Sequence, residues 1–299
     1  MYNWNALAGR FEHENDTIIF KGKPVTFQDM PAPSVGTYIS DQRFSGGTIT
    51  GQISFNQISQ SSTCEFILSY QPSTQALVTA GMGGAGMFSV RSFDSRWNTH
   101  ASAGDRTNLI MKRKYELKVQ VIGSRVKVTV DGVDVVEAVI PFSLSPGQAG
   151  IWCSDVNPIY ISGYHVSTVK PTAFIVMQFS KPYNELYAEV IKPVCESFGV
   201  TAVRGDEEFG PGIIVADIAR QIAESKVIVA EITPTNPNVY YEVGYAHALN
   251  KPTILIAERE TKLPFDVSPF RILFYENTIE GKRRIEEGFR KHLEAILSS

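Results

Sequence analysis

YELKVQVIGSRVKVTVDGV, at Tyr115–Val133, decides the fold of the first half of the chain. Leu117, Val119 and Val121 alternate with Lys118, Gln120 and Ile122, and Val126, Val128 and Val130 alternate with Lys127 and Thr129. A period of two puts the valines on one buried face of a strand pair and the lysines in water. Gly123-Ser124 supplies one turn and Asp131-Gly132 the next, the second being a strong hairpin signal. Outward from here, Gly47–Phe55, Cys64–Tyr70, Gly150–Cys153 and Ile159–Val166 read as further short strands. No amphipathic helix precedes Thr168, and many short strands with glycine-rich turns predict an all-β sandwich.

Past Lys170-Pro171 the pattern changes. Ala173–Phe179 is an uninterrupted apolar run, as expected of a parallel strand buried on both faces. Glu185–Phe198 has helical spacing, Val200–Val203 is a short strand, and Ile213–Glu224 is a helix. Lys226–Ile232, Thr253–Ala257 and Ile272–Tyr275 are strands, with helices at Val239–Leu249 and Ile279–Leu297. Alternating β and α elements predict a parallel sheet with right-handed crossovers.

Two domains also suit a chain of 299 residues. With 43% hydrophobic, 11% aromatic and 20% charged residues it can build ordinary cores. A net charge of −3 gives no electrostatic reason to expect bulk nucleic acid. Cys64, Cys153 and Cys195 are widely spaced and read as buried free thiols, which fits a reducing compartment. Met1–Arg10 lacks the pattern of a signal peptide, and no apolar run reaches membrane-spanning length. The expectation is a soluble, cytoplasmic protein with no membrane partner. His13, His100, His165 and His292 form no metal-ligand spacing, so neither metal nor cofactor is expected.

Ligands of an open parallel sheet collect beyond the carboxyl ends of its strands. Those ends here carry Gln178 and Phe179, then Asp206, then Glu231 through Asn238. Asn236 is a good N-cap and Pro237 a good first helical residue, so a helix starts there and its free N–H groups favour an anion. Glu242 is the only acid of that helix, on one face with Asn238 and Tyr245, while Val239, Val243 and Ala246 face the sheet. A carboxylate among apolar residues should be exposed, paired or functional.

The N-terminal strands, Tyr115–Val133 with Gly147–Trp152 and Ile159–Val166, resemble the concanavalin A-like or laminin-G-like jelly roll over residues 1–168. The second expected domain is 169–299, of which about 170–276 resembles the nucleoside 2-deoxyribosyltransferase-like and TIR-like nucleotide-binding proteins. Phe174–Phe179, Asn184–Glu196, Arg204–Glu207, Asp217–Ile222 and above all AEITPTNPNVYYEVGYAHAL at Ala230–Leu249 carry that likeness. It implies a flavodoxin-like sheet, a homo-oligomer, and Glu242 as the carboxylate at the ribose anomeric carbon. Asp217 would be a second catalytic group, and Tyr241 and Tyr245 would meet the base. Glu231-Ile232-Thr233 stands where many relatives have Asp-Leu-Thr, a longer reach toward the sugar.

The expected function is therefore an N-glycosidic hydrolase or transferase acting on a nucleotide, nucleoside or NAD, with a role in bacterial defence. The alternative is a non-catalytic nucleotide-binding sensor joined to a glycan- or protein-binding sandwich. Each residue also has a plainer reading: Glu242 and Asp217 solvated, Asp206 capping a loop, the tyrosines filling core. Trp4, Trp97 and Trp152 are candidates for sugar stacking, with Trp97 the best exposed and Trp152 the more core-like. Gly81–Gly86 lacks the lysine and helix of a phosphate loop and reads as a turn.

Overall fold

The structure is a computed structural model that describes residues 2–27, 30–142, 144–205, 214–265, 267 and 269–298. The chain divides into two compact units, Met1–Ile140 with Leu144–Val169, and Pro141–Ser143 with Lys170–Ser299.

The first unit is a sandwich of two antiparallel sheets. One runs in the order Val133–Val139, Arg125–Val130, Tyr115–Ile122, Gly47–Phe55, Ile159–Thr168, Thr17–Phe20, Phe11–Glu14. The other runs Trp4–Ala8, Met30–Phe44, Gly147–Asp155, Thr63–Gln71, Ala76–Met82, Phe88–Phe93, Trp97–Ala103, with Pro24–Phe27 paired to the second of these. Val119 stands opposite Val128 on one side and Ile49 on the other, so the alternating valines form one continuous apolar face. Asp131 and Gly132 both have positive φ, 52° and 80°, the signature of the two-residue type I′ turn that matches strand twist. The facing sheet supplies Phe66, whose ring meets Tyr164 edge-on at 5.4 Å. A Cβ at Gly51 would lie 3.0 Å from that Phe66 ring, so glycine there lets the sheets approach. Trp4–Ala8, Phe11–Glu14 and Trp97–Ala103 are strands the sequence pattern does not announce. They are edge or near-edge elements with one half-wet face, and carry little alternation.

The second unit has a five-stranded, wholly parallel sheet in the order Thr201–Arg204, Thr172–Val176, Val227–Glu231, Thr253–Glu258, Ile272–Tyr275. Both faces are buried. Ala173 and Ile175 point into one apolar cluster with Val229, Ile256 and Phe289, and Phe174 and Val176 point into another with Ile228, Val239 and Val243. This explains why these strands read as continuous apolar runs. The helix expected over Glu185–Phe198 is instead Tyr183–Leu186, a π turn at Tyr187–Ile191, and Lys192–Ser197. Pro193 lacks the N–H that would bond the Glu189 carbonyl, and in a regular α-helix its ring would clash with that carbonyl, which the wider π turn relieves.

On the outward face of the eight-stranded sheet a complete ionic network is buried. Glu65 accepts from Thr79 Oγ1 at 2.7 Å, Ser89 Oγ at 2.7 Å, and Arg91 Nε and Nη2 at 3.0 and 2.6 Å. The Arg91 guanidinium lies 4.0 Å from the centre of the Trp97 ring and 5.2 Å from that of Trp152. The Gly83–Gly86 turn lies close by: a Cβ on Gly84 would fall 2.1 Å from Glu65 Oε1. Removing one member strands a charge in low dielectric. Arg91→Ala should therefore cost about 3–5 kcal/mol in urea unfolding, whereas the paired change Glu65→Met with Arg91→Met should cost clearly less. Equal losses for the two would show that the ion pair is not what the site depends on.

Candidate functional site

Of the residues singled out from sequence, Glu231 ends its strand, while Asp217, Tyr241, Glu242 and Tyr245 lie within helices. Gln178 is half-buried and donates through Nε2 to Ser180 Oγ at 2.9 Å. Phe179 is exposed, with the Arg204 guanidinium 4.9 Å from its ring centre. Asp206 lies outside the described residues. Asn236 caps the helix Pro237–Ala248, its side chain accepting from Asn238 N at 3.0 Å, while Asn238 itself is exposed. Tyr241 is 61% exposed, and Tyr245 packs against the apolar cluster beneath its helix. Asp217 pairs with Arg220 of its own helix at 3.4 Å on a wet face.

Two glutamates differ from these. Glu231 is fully buried at the end of its strand. Its Oε1 accepts from Thr233 N at 3.2 Å, Thr233 Oγ1 and Tyr275 Oη at 3.2 Å, and its Oε2 has no partner among the described residues. Burial pushes its pKa up to about 7, against the lowering effect of those hydrogen bonds and with help from the charge of Glu258. Glu242 is half-buried, has no hydrogen-bond or ion-pair partner among the described residues, and is raised by desolvation to about 7. His247 stacks on Phe270 at 4.4 Å, and burial lowers its pKa.

The sandwich carries two large clefts that sequence reasoning did not assemble. One, of 820 Å³, lies on the outward face of the seven-stranded sheet. It is lined by the polar residues that alternate with the buried valines, among them Thr50, Gln52, Glu116, Lys118, Lys127 and Thr129. Register sets them in rows: Thr50 opposes Lys118, Lys118 opposes Thr129, and Thr129 opposes Asp134. Asp134 accepts from Thr129 Oγ1 at 2.7 Å and Lys127 Nζ at 3.1 Å, which hold its carboxyl below the usual range.

The second cleft, of 670 Å³, is aromatic and polar, with Tyr2, Trp4, His13, Tyr38 and Tyr164 on its walls beside Asn3, Asn15 and His165. Trp4 and Tyr38 stack at 4.7 Å with 16° between planes, and His13 Nε2 lies 2.8 Å from Tyr38 Oη. Tyr164 meets Trp4 edge-on at 5.1 Å. Asp16 lines both clefts. The residues span positions 2–165, and only Trp4 was a candidate from sequence. Trp97, expected to be the open platform, is half-buried beside Arg91 and meets Trp152 edge-on at 5.0 Å. Its polar sequence neighbours hid that packing. Among the described residues there is no group of three or more His, Cys, Asp or Glu suited to a metal, and no helix long and apolar enough to cross a membrane.

No family model and no curated protein matches the chain. Among solved structures, a carbohydrate-binding module from Bacillus subtilis aligns at 15% identity over 55% of this chain and 93% of its own, TM-score 0.45. A prokaryotic lichenase derived from a mouse hindgut metagenome aligns at 11% identity over 54% of this chain and 89% of its own, TM-score 0.38. The TIR domain of a Toll-related receptor from Hydra magnipapillata aligns at 16% identity over 42% of this chain and 96% of its own, TM-score 0.34.

The expectation of a nucleotide, nucleoside or NAD N-glycosidase centred on Glu242 is corrected by these findings. The neighbours named for the sandwich are glycan-binding or glycan-hydrolysing proteins by title, and none of the three titles names an N-glycosidase.

A buried acid with a raised pKa stays protonated in the folded chain after the unfolded chain has ionised. The unfolded state then binds fewer protons, so stability falls as pH rises from about 4.5, the ordinary glutamate value, to about 7. Two and a half units correspond to roughly 3 kcal/mol. Glu231→Gln should reduce this slope in urea unfolding measured between those pH values, the remainder coming from Glu242, whose pKa is raised over the same range. An unchanged slope would remove Glu231 as its source.

Proposed function

We propose that the sandwich unit is a glycan-binding module whose ligand lies across the polar sheet face and reaches the aromatic cleft. One observation carries this reading: a cleft of hydrogen-bonding side chains in regular rows shares Asp16 with a cleft lined by stacked aromatic rings. Sugars present both surfaces that such a site needs, hydroxyls for polar rows and C–H faces for aromatic rings. The rows are rigid because each polar residue is flanked in its strand by a buried one, as the alternating burial of Tyr115–Ile122 and Arg125–Val130 demonstrates. Binding without turnover is the better fit. Asp134 is kept ionised by Thr129 and Lys127, which suits an acceptor and opposes a general acid. The strand order of the parallel sheet, with the second strand outside the first, supports the flavodoxin-like reading of the other unit.

The test is a glycan array followed by calorimetry on the best oligosaccharide. Trp4→Ala should weaken binding at least about tenfold, ~1.4 kcal/mol. Lys118→Ala, on the outward face away from the core, should weaken it several-fold without changing thermal stability. Failure to bind any oligosaccharide at millimolar concentration, with the wild-type chain folded, overturns the proposal.

A further inference from the structure

Cys64 and Cys153 stand directly opposite one another on the antiparallel strands Thr63–Gln71 and Gly147–Asp155. Their sulfurs are 3.8 Å apart, both residues are fully buried, and both are free thiols. Directly opposed residues of an antiparallel pair have Cα atoms about 4.5–5.5 Å apart, inside the range of roughly 4.4–6.8 Å that a disulfide spans. The backbone register therefore already satisfies the bond, and the remaining gap between the sulfurs is within reach of side-chain rotation. The strands are central in the sheet, and their neighbours in the same register are Glu65 and Trp152, members of the buried ionic and aromatic layer.

We infer that Cys64 and Cys153 form a cross-strand disulfide when the chain folds in the presence of a small-molecule disulfide, joining two adjacent interior strands of the eight-stranded sheet. The thiolate of one cysteine attacks a sulfur of glutathione disulfide and releases one glutathione as thiolate, leaving a mixed disulfide. The thiolate of the other cysteine attacks the protein sulfur of that mixed disulfide and expels the second glutathione. Two protein thiols lose two protons and two electrons, and one glutathione disulfide gains them. Once the sandwich has closed, the pair is inert. No oxidant reaches a fully buried sulfur, and desolvation, the neighbouring thiol, and the negative charges of Asp155 and Glu65 hold the Cys153 thiol well above its ordinary range. The state of the pair is therefore set by the medium in which the chain folds and is retained afterwards. Cys195, in the other unit, has no cysteine beside it and is buried, with its thiol pushed up to about 12.

The full chain, synthesised in cell-free translation with either glutathione or glutathione disulfide, tests this. Thiol titration under denaturing conditions should count three free thiols in the first case and one in the second. Peptide mapping should find the peptides of Cys64 and Cys153 joined and two hydrogens lighter. Because the cross-link spans 89 positions of sequence, the oxidised protein should melt higher by roughly 5–10 °C, and Cys195→Ala should keep that shift. Cys64→Ala or Cys153→Ala should abolish both the link and the shift. Three free thiols in folded protein from both mixtures, or a link through Cys195, overturns the proposal.

Discussion

Register in the antiparallel pairs of the seven-stranded sheet is the constraint on which the first unit depends. Leu117, Val119 and Val121 sit opposite Val130, Val128 and Val126, and the same strand pairs Val119 with Ile49. A slip of one residue would turn every valine to water and every lysine into the core, so one alignment is strongly preferred. The outward rows of threonine, glutamine, lysine and aspartate are the other side of that alignment. The apolar core and the proposed glycan face thus share one cause, and the ligand surface is as rigid as the core beneath it.

The facing sheet solves a different problem. Its outward face buries Glu65 and Arg91, and the cost of desolvating that pair is met by hydrogen bonds from Thr79 and Ser89 and by the indole rings of Trp97 and Trp152. The aromatic cluster of Trp4, Tyr38 and Tyr164 draws on strands of both sheets. Such rings can serve core closure and ligand contact together, because the face not packed against protein remains available to a sugar.

In the α/β unit the same physics has another outcome. Alternate residues of each central strand enter opposite apolar clusters, so both faces are spoken for and polar chemistry is displaced to the strand ends. Burial holds Glu231, at the end of its strand, and Glu242, within the following helix, with pKa values near 7. Raised carboxyls mark a site that tolerates a neutral acid, but they name no substrate.

By itself the sequence determined the valine face of Tyr115–Val130, the Asp131-Gly132 turn, and the cap and first turn of the helix at Asn236-Pro237. Each rests on interactions between residues near in sequence, where strand period, turn dihedrals and capping are decided. Tertiary structure alone decided that Trp97 would pack beside an arginine, that Trp4 would join Tyr38 and Tyr164, and that Cys64 would oppose Cys153. Those contacts join positions tens of residues apart, and they follow from sheet order and register. No local periodicity encodes which strand lies beside which.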